Sequence, residues 1–163
     1  MQLELPHTAG CVVCGPANAK GLRLRLFVDP PTGVVHTEFT PDDHHIGFSA
    51  MTHGGVVATV LDEVMVWAAS WSNHRFCVCA EMNVRFRRKA RLREPLKFIA
   101  RVDASRSKLI VTSATVKDNF GNLIAEATGK YMPLTPAENR QFVATFVPDP
   151  ATAKAAEQMQ NRA

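Results

Sequence analysis

The chain has 163 residues, 46% of them hydrophobic and 21% charged, with a net charge of +4. That length fits one domain with one core, and the composition is ordinary for a globular protein. The modest positive surplus favours anionic ligands and does not by itself indicate a nucleic-acid binder.

Residues 1–19 read as an irregular arm punctuated by Pro6, Gly10, Gly15 and Pro16. The opening MQLELPHTAGC has no basic leader followed by an apolar run, so neither a secretory signal nor a transit peptide is expected. A cytoplasmic protein is the expectation, with Cys11, Cys14, Cys77 and Cys79 as thiols. Gly21–Val28 alternates leucine with arginine, as a half-exposed strand does, and Val34–Phe39 returns after the turn Pro30-Pro31-Thr32-Gly33. A loop rich in Asp and His, Pro41–Thr52, leads to the apolar stretch Gly54–Trp71, which Asn73 and His74 end.

Four strands are expected next. In Phe76–Arg87, Val78, Ala80, Met82, Val84 and Phe86 share one face, while Glu81, Asn83, Arg85 and Arg87 lie on the other beside Cys77 and Cys79. Leu96–Ala104, Leu109–Lys117 and Leu123–Met132 follow, joined by short polar turns. Short connections imply an antiparallel sheet, and one long apolar helix is the natural element for it to wrap. The expected fold is therefore α+β, with residues 20–133 as the domain. Residues 134–163 read as a tail holding a short helix and a mobile terminus.

Within the apolar stretch stand two adjacent carboxylates, Asp62 and Glu63, preceded by His53-Gly54-Gly55. Two acids mid-span argue against a membrane segment, where ionisable groups are expensive. In a buried helix they are costly unless paired or used, and catalysis is the leading reason to keep them.

Several stretches together resemble the hotdog-fold acyl-CoA thioesterases, in particular the phenylacetic-acid-pathway-like branch of the 4-hydroxybenzoyl-CoA thioesterase superfamily. They are the loop Asp43-His44-His45-Ile46-Gly47, the motif from His53-Gly54-Gly55 to Asp62-Glu63, the strand Cys79–Phe86, and the hairpin around Gly121-Asn122. Cys11-Val12-Val13-Cys14-Gly15-Pro16 is similar to the leader of one branch. The resemblance spans roughly Gly21–Tyr131. It implies a hotdog fold, with Asp62 as nucleophile or general base and the Gly54 N–H polarising the thioester carbonyl. It also places Gly47 and Cys79 where the family often carries polar residues.

The chemistry suits these residue types. N–H groups at a helix N-terminus stabilise a developing oxyanion, and glycines leave the carbonyl's approach open. Eight residues of helix separate Gly54 from Asp62 by roughly 12 Å along the axis, so one thioester carbon cannot touch both. An obligate homodimer with two shared sites is expected, with a homotetramer as a further assembly of this fold. Glu63 points about 100° away from Asp62 around the helix and is assigned to a buried cation or the polar rim.

The expected catalytic set is Asp62, Gly54, Gly55 and His53, although His53 also reads as a simple helix cap. The substrate-binding set is His45, Gly47, Cys79, Glu63, Arg85, Arg87 and Arg88. The run from Arg85 to Arg93 reads either as a solvated strand end or as a docking patch for coenzyme A phosphates. Trp67 and Trp71 read as core. No metal or redox cofactor is expected. The cluster Asp42-Asp43-His44-His45 lacks ligand spacing, and Cys11-x-x-Cys14 is half a zinc site whose completion by Cys77 and Cys79 is disfavoured.

The sequence thus points to hydrolysis of an acyl-CoA thioester to free acid and coenzyme A, with no nucleic-acid or membrane partner. The runner-up is a non-catalytic acyl-CoA-binding or sensing protein, and the third reading an enoyl-CoA hydratase on the same fold.

Overall fold

A computed structural model describes residues 1–160. Its strands are β1 (Leu3–Glu4), β2 (Phe27–Asp29), β3 (Val34–Phe39), β4 (Cys77–Phe86), β5 (Leu96–Arg106), β6 (Leu109–Asp118) and β7 (Leu123–Pro133). They form one antiparallel sheet in the order β1-β2-β3-β5-β6-β7-β4. The helices are α1 (Gly54–Asn73), α2 (Pro136–Val143) and α3 (Ala153–Gln160).

Helix α1 runs where the apolar stretch placed it. His53 caps its N-terminus, its Nδ1 accepting the Gly55 N–H at 2.9 Å. His74 ends it in the left-handed region at φ 58°. The helix packs across β3 to β7 and buries an almost continuous run from Val64 to Trp71. A helix buried on most sides needs this near-uniform apolarity rather than a narrow stripe. Trp67 and Trp71 are core residues, as expected.

Three local expectations change. The strand expected over Gly21–Val28 shrinks to Phe27–Asp29. Ahead of it, Leu22 and Leu24 donate their N–H groups to Val12 and Val13 carbonyls, and Arg23 adopts φ 52°. The leucines of that alternation therefore hold the N-terminal arm, which adds β1 and buries Leu3, Leu5, Val13 and Cys14 in the main core. The tail holds two helices rather than one. A capping box between Thr135 and Glu138 starts α2, Phe142 stacks on Phe76, and Phe146 lies tilted against Trp67. Helix α3 buries Ala155 and Met159. Residues 161–163, the last of the tail in which a mobile terminus is expected, lie outside the described residues.

The third change is in β4. Register with β7 shifts between Cys79, opposite Tyr131, and Glu81, opposite Lys130, so Ala80 is an extra residue in a β-bulge. One inserted residue exchanges the two faces of a strand. Cys77, expected on the outer face, is fully buried, while Val78 is 48% exposed. Beyond the bulge the expected phase holds, and Met82 and Val84 pack on the core.

Candidate active site

Asp62 sits halfway along α1, half-buried, facing β7. Its Oδ1 accepts a hydrogen bond of 2.7 Å from the Tyr131 hydroxyl. Tyr131 is fully buried, and burial, reinforced by the Asp62 carboxylate, pushes its phenol far above the ordinary value. The phenol is therefore a permanent donor. Opposite Tyr131 in the ladder stands Cys79, just before the bulge. Desolvation raises the Cys79 thiol, and the Asp62 charge adds to it, so it stays protonated beside the carboxylate. The bulge turns Cys79 toward this group, as bulges beside functional sites often do.

Tyr131 is the site residue that sequence reading missed. Its neighbour Gly129 carries the clue. A Cβ at Gly129 would lie 2.5 Å from Tyr131 Cε2, so the ring lies flat over a position only glycine fills. A Gly-x-Tyr pair on one face of a strand is the signal, and it is legible only once the face is known.

The other half of the expected set gathers at the N-terminus of α1. The Gly55 N–H is engaged by His53 Nδ1, which leaves Gly54 N–H as the amide without a partner among the described residues. Of the two expected donors, Gly54 is the one whose N–H is not engaged by His53. Phe86 covers Gly54, its Cζ 3.3 Å from where a Cβ would stand. A cavity of about 330 Å³ opens here between Gly54, Val57, Phe86 and the backbone turn Arg87–Ala90.

The loop before α1 is positioned by backbone contacts. Gly47 donates to the Met51 carbonyl at 2.8 Å, and its Cβ would come within 2.8 Å of His53 Cα, so glycine is required for close approach. His45 closes a capping box with Asp42 across the turn Asp43–His45 and meets the Phe39 ring edge-on. Its carbonyl accepts the His53 N–H at 2.8 Å. His45 and Gly47 thus hold His53 and the helix N-terminus in place. Asp43 is ion-paired with Arg93, and no metal-type cluster forms from Asp42, Asp43, His44 and His45 among the described residues.

Arg87 is paired with Glu126, and Arg91 with Glu94, whereas Arg85 and Lys89 have no ion pair among the described residues. Arg87 and Arg88 both line the Gly54 cavity. Glu63 points away from Asp62, accepting the Trp67 indole N–H at 3.1 Å. Its carboxyl is pushed up to about 7, first by desolvation and then by Cys11. The structure therefore brings Asp62, Cys79 and Tyr131 together, gathers Gly54, His53 and the Arg87–Arg88 turn elsewhere, and keeps Glu63 apart from both.

Residues 50–125 match the family model of the thioesterase superfamily. Over that stretch the chain resembles the thioesterase superfamily. The long helix against an antiparallel seven-stranded sheet is the hotdog fold of that superfamily. A crystal structure of a thioesterase superfamily protein is similar at a TM-score of 0.70 and 25% identity. That match covers 76% of this chain and 60% of the other, so this chain spans only three-fifths of that neighbour's length. The PaaI protein of the phenylacetic acid degradation operon of E. coli is similar at TM-score 0.61 and 16% identity, over 64% of this chain and 75% of that one. A Streptococcus mutans protein whose structure was determined bound to acetyl CoA is similar at TM-score 0.60 and 17% identity, over 63% and 82%. No curated protein matches this sequence. No described helix is long and apolar enough to cross a membrane.

Proposed function

We propose that the protein is a cytoplasmic hydrolase that cleaves an acyl-CoA thioester to a carboxylic acid and coenzyme A. The observation that carries this reading is the Asp62 carboxylate fixed by the Tyr131 hydroxyl at 2.7 Å, in a superfamily built for thioester cleavage. The S. mutans neighbour's acetyl CoA supports a coenzyme A thioester as the ligand class.

Asp62 takes a proton from water as its oxygen attacks the carbonyl carbon. The negative charge arising on the carbonyl oxygen is met by Gly54 N–H at the positive end of α1. Collapse re-forms the C=O bond and breaks C–S, and the proton on Asp62 passes to the departing sulfur. The Tyr131 hydrogen bond fixes the orientation of the carboxylate, and the general-base role is the one proposed for it. Cys79 lies beside the attacking water, His53 and His45 shape the mouth, and Arg87 and Arg88, with Arg85, contact phosphates. The reaction as proposed calls on no dissociable cofactor.

The two half-sites meet across a homodimer. Strand β4 is a ten-residue sheet edge with Phe86 52% exposed and Val78 48% exposed, a surface that invites pairing. It runs back along α1, with Cys79 beside Asp62 and Phe86 beside Gly54. An antiparallel β4–β4 pairing about a two-fold axis near Met82 and Asn83 would set Phe86 of one chain against the partner's Cys79. Gly54 of one subunit would then approach the partner's Asp62.

The test is thiol release from short, medium, long and aryl acyl-CoAs by wild type and Asp62→Asn, with the solution mass recorded. Release that falls about 10²–10⁴-fold in Asp62→Asn supports the enzyme. Coenzyme A binding without release from any substrate would overturn it and favour the sensor, and a monomer would overturn the shared site.

A further inference from the structure

The N-terminal arm lies outside the family-matched residues, and its one chemically pointed feature is Cys11-Val12-Val13-Cys14-Gly15. The fold carries this loop 49 residues along the sequence to Glu63, which projects from α1 on the side away from Tyr131 (63 − 14 = 49). Cys11 Sγ, Cys14 Sγ and a Glu63 carboxylate oxygen all lie within 4.8 Å of one another. We propose that these three residues form a zinc site clasping the N-terminal arm to the central helix.

The loop is built like a metal knuckle. Cys11 Sγ accepts backbone N–H groups from Val13 at 3.3 Å and Cys14 at 3.5 Å, the arrangement that supports a thiolate. Gly15 donates to the Cys11 carbonyl at 3.0 Å, and a Cβ there would stand 2.5 Å from Cys11 N and O. Only glycine permits that turn. Val12 and Val13 carbonyls accept N–H groups of Leu22 and Leu24 at 2.8 Å each, so the loop is pinned before any ligand arrives. Cys14 is buried and Cys11 half-buried, leaving one side of the trio open. On the helix side, the Trp67 indole N–H holds Glu63 Oε1 and orients its carboxylate, the supporting contact that metal-binding carboxylates usually have.

Donor chemistry selects the ion. Two thiolates with one carboxylate suit Zn²⁺, and disfavour Mg²⁺ and Ca²⁺, which take oxygen ligands. With Zn–S about 2.3 Å and Zn–O about 2.0–2.2 Å, tetrahedral ligation needs donor separations of roughly 3.5–3.8 Å. From separations of no more than 4.8 Å, the trio contracts by at most about 1.3 Å to reach them. Three protein ligands leave a fourth position for water on the Cys11 side. Cys77 and Cys79 are not part of this cluster, which sets aside the four-cysteine site that sequence spacing alone would offer. The site is independent of the hydrolysis proposed above, although Glu63 is the next residue after Asp62.

The experiment is titration of the reduced, metal-free, full-length protein with Zn²⁺ against a chromophoric chelator, and separately with Co²⁺. The expected results are one equivalent of tightly held Zn²⁺, a raised Tm reversed by chelator, and a thiolate-to-cobalt charge-transfer band with intense tetrahedral d–d bands. Cys11→Ser and Cys14→Ser should each lose the band and the Tm shift. Glu63→Gln, which keeps the shape and the Trp67 contact, should weaken binding at least tenfold with circular dichroism unchanged. A wild type without the cobalt–thiolate band, or a Zn²⁺ equivalent that survives both serine variants, would overturn the site. A Cys11–Cys14 disulfide that resists reduction in the folded chain would overturn it too.

Discussion

The hydroxyl of Tyr131, on the sheet, donates 2.7 Å to the carboxylate of Asp62, in the middle of the central helix. This bond ties β7 to α1 at the point where the proposed chemistry needs a carboxylate of fixed orientation. A hydrogen bond to a charged group is worth about 1.5–3 kcal/mol. Tyr131→Phe keeps the buried ring and removes only the donor. It should lower kcat about 10–100-fold with KM little changed, read from steady-state thiol release. An unchanged kcat would remove Tyr131 from the positioning of Asp62.

Gly129 makes room for that ring. Gly129→Ala puts a methyl 2.5 Å from Tyr131 Cε2 and 3.1 Å from its hydroxyl oxygen. The ring has no free space to move into, so the substitution should cost about 1–3 kcal/mol in urea denaturation. The cost should shrink when Tyr131 is first truncated to Ala, because the two effects act through one contact. Equal costs in both backgrounds would place the strain in the strand itself.

If the site is shared, two dead variants should rescue each other. Asp62→Asn and Gly54→Val chains, unfolded together and refolded, should give heterodimers with one site carrying both native residues. Recovery of about a quarter of wild-type activity is expected from statistical mixing. Activity no higher than that of the separate variants would place Gly54 and Asp62 in different roles.

His36 predicts a pH dependence of stability. It stacks on Phe27 with ring centroids 5.6 Å apart, and its Nε2 is buried without a partner. Desolvation lowers its pKa from the ordinary 6.5, with the Asp29 charge opposing. The folded state therefore binds fewer protons than the unfolded state just below pH 6.5, so stability from this residue is whole above that pH and lost as pH falls through it. Wild-type Tm should drop faster than that of His36→Phe between about pH 7 and 5. Parallel curves would show that His36 titrates alike in both states.

Ser70 joins the end of α1 to the start of β4. Its hydroxyl donates to the Val66 carbonyl at 2.6 Å and accepts the Cys77 N–H at 3.0 Å, with both residues fully buried. Ser70→Ala orphans a buried amide, which should cost about 1–3 kcal/mol in chemical denaturation without altering KM. A loss under half a kilocalorie would mean that water replaces the hydroxyl.

The sequence by itself determined the order of elements from β2 to β7, the position of α1 and the candidacy of its buried acids. These depend on local regularities: a long apolar run, its polar stops, period-two alternation, and two acids whose burial demands a reason. It also separated Asp62 from Glu63, because helix geometry alone turns adjacent side chains apart. Tertiary structure decided which β4 residues face inward, since the inserted Ala80 reverses the phase without altering the composition of the strand. It also decided that Tyr131 reaches Asp62 and that Cys11 and Cys14 meet Glu63. Those pairings join residues dozens of positions apart, and sheet register and helix docking set such distances. Periodicity along the chain carries no information about them.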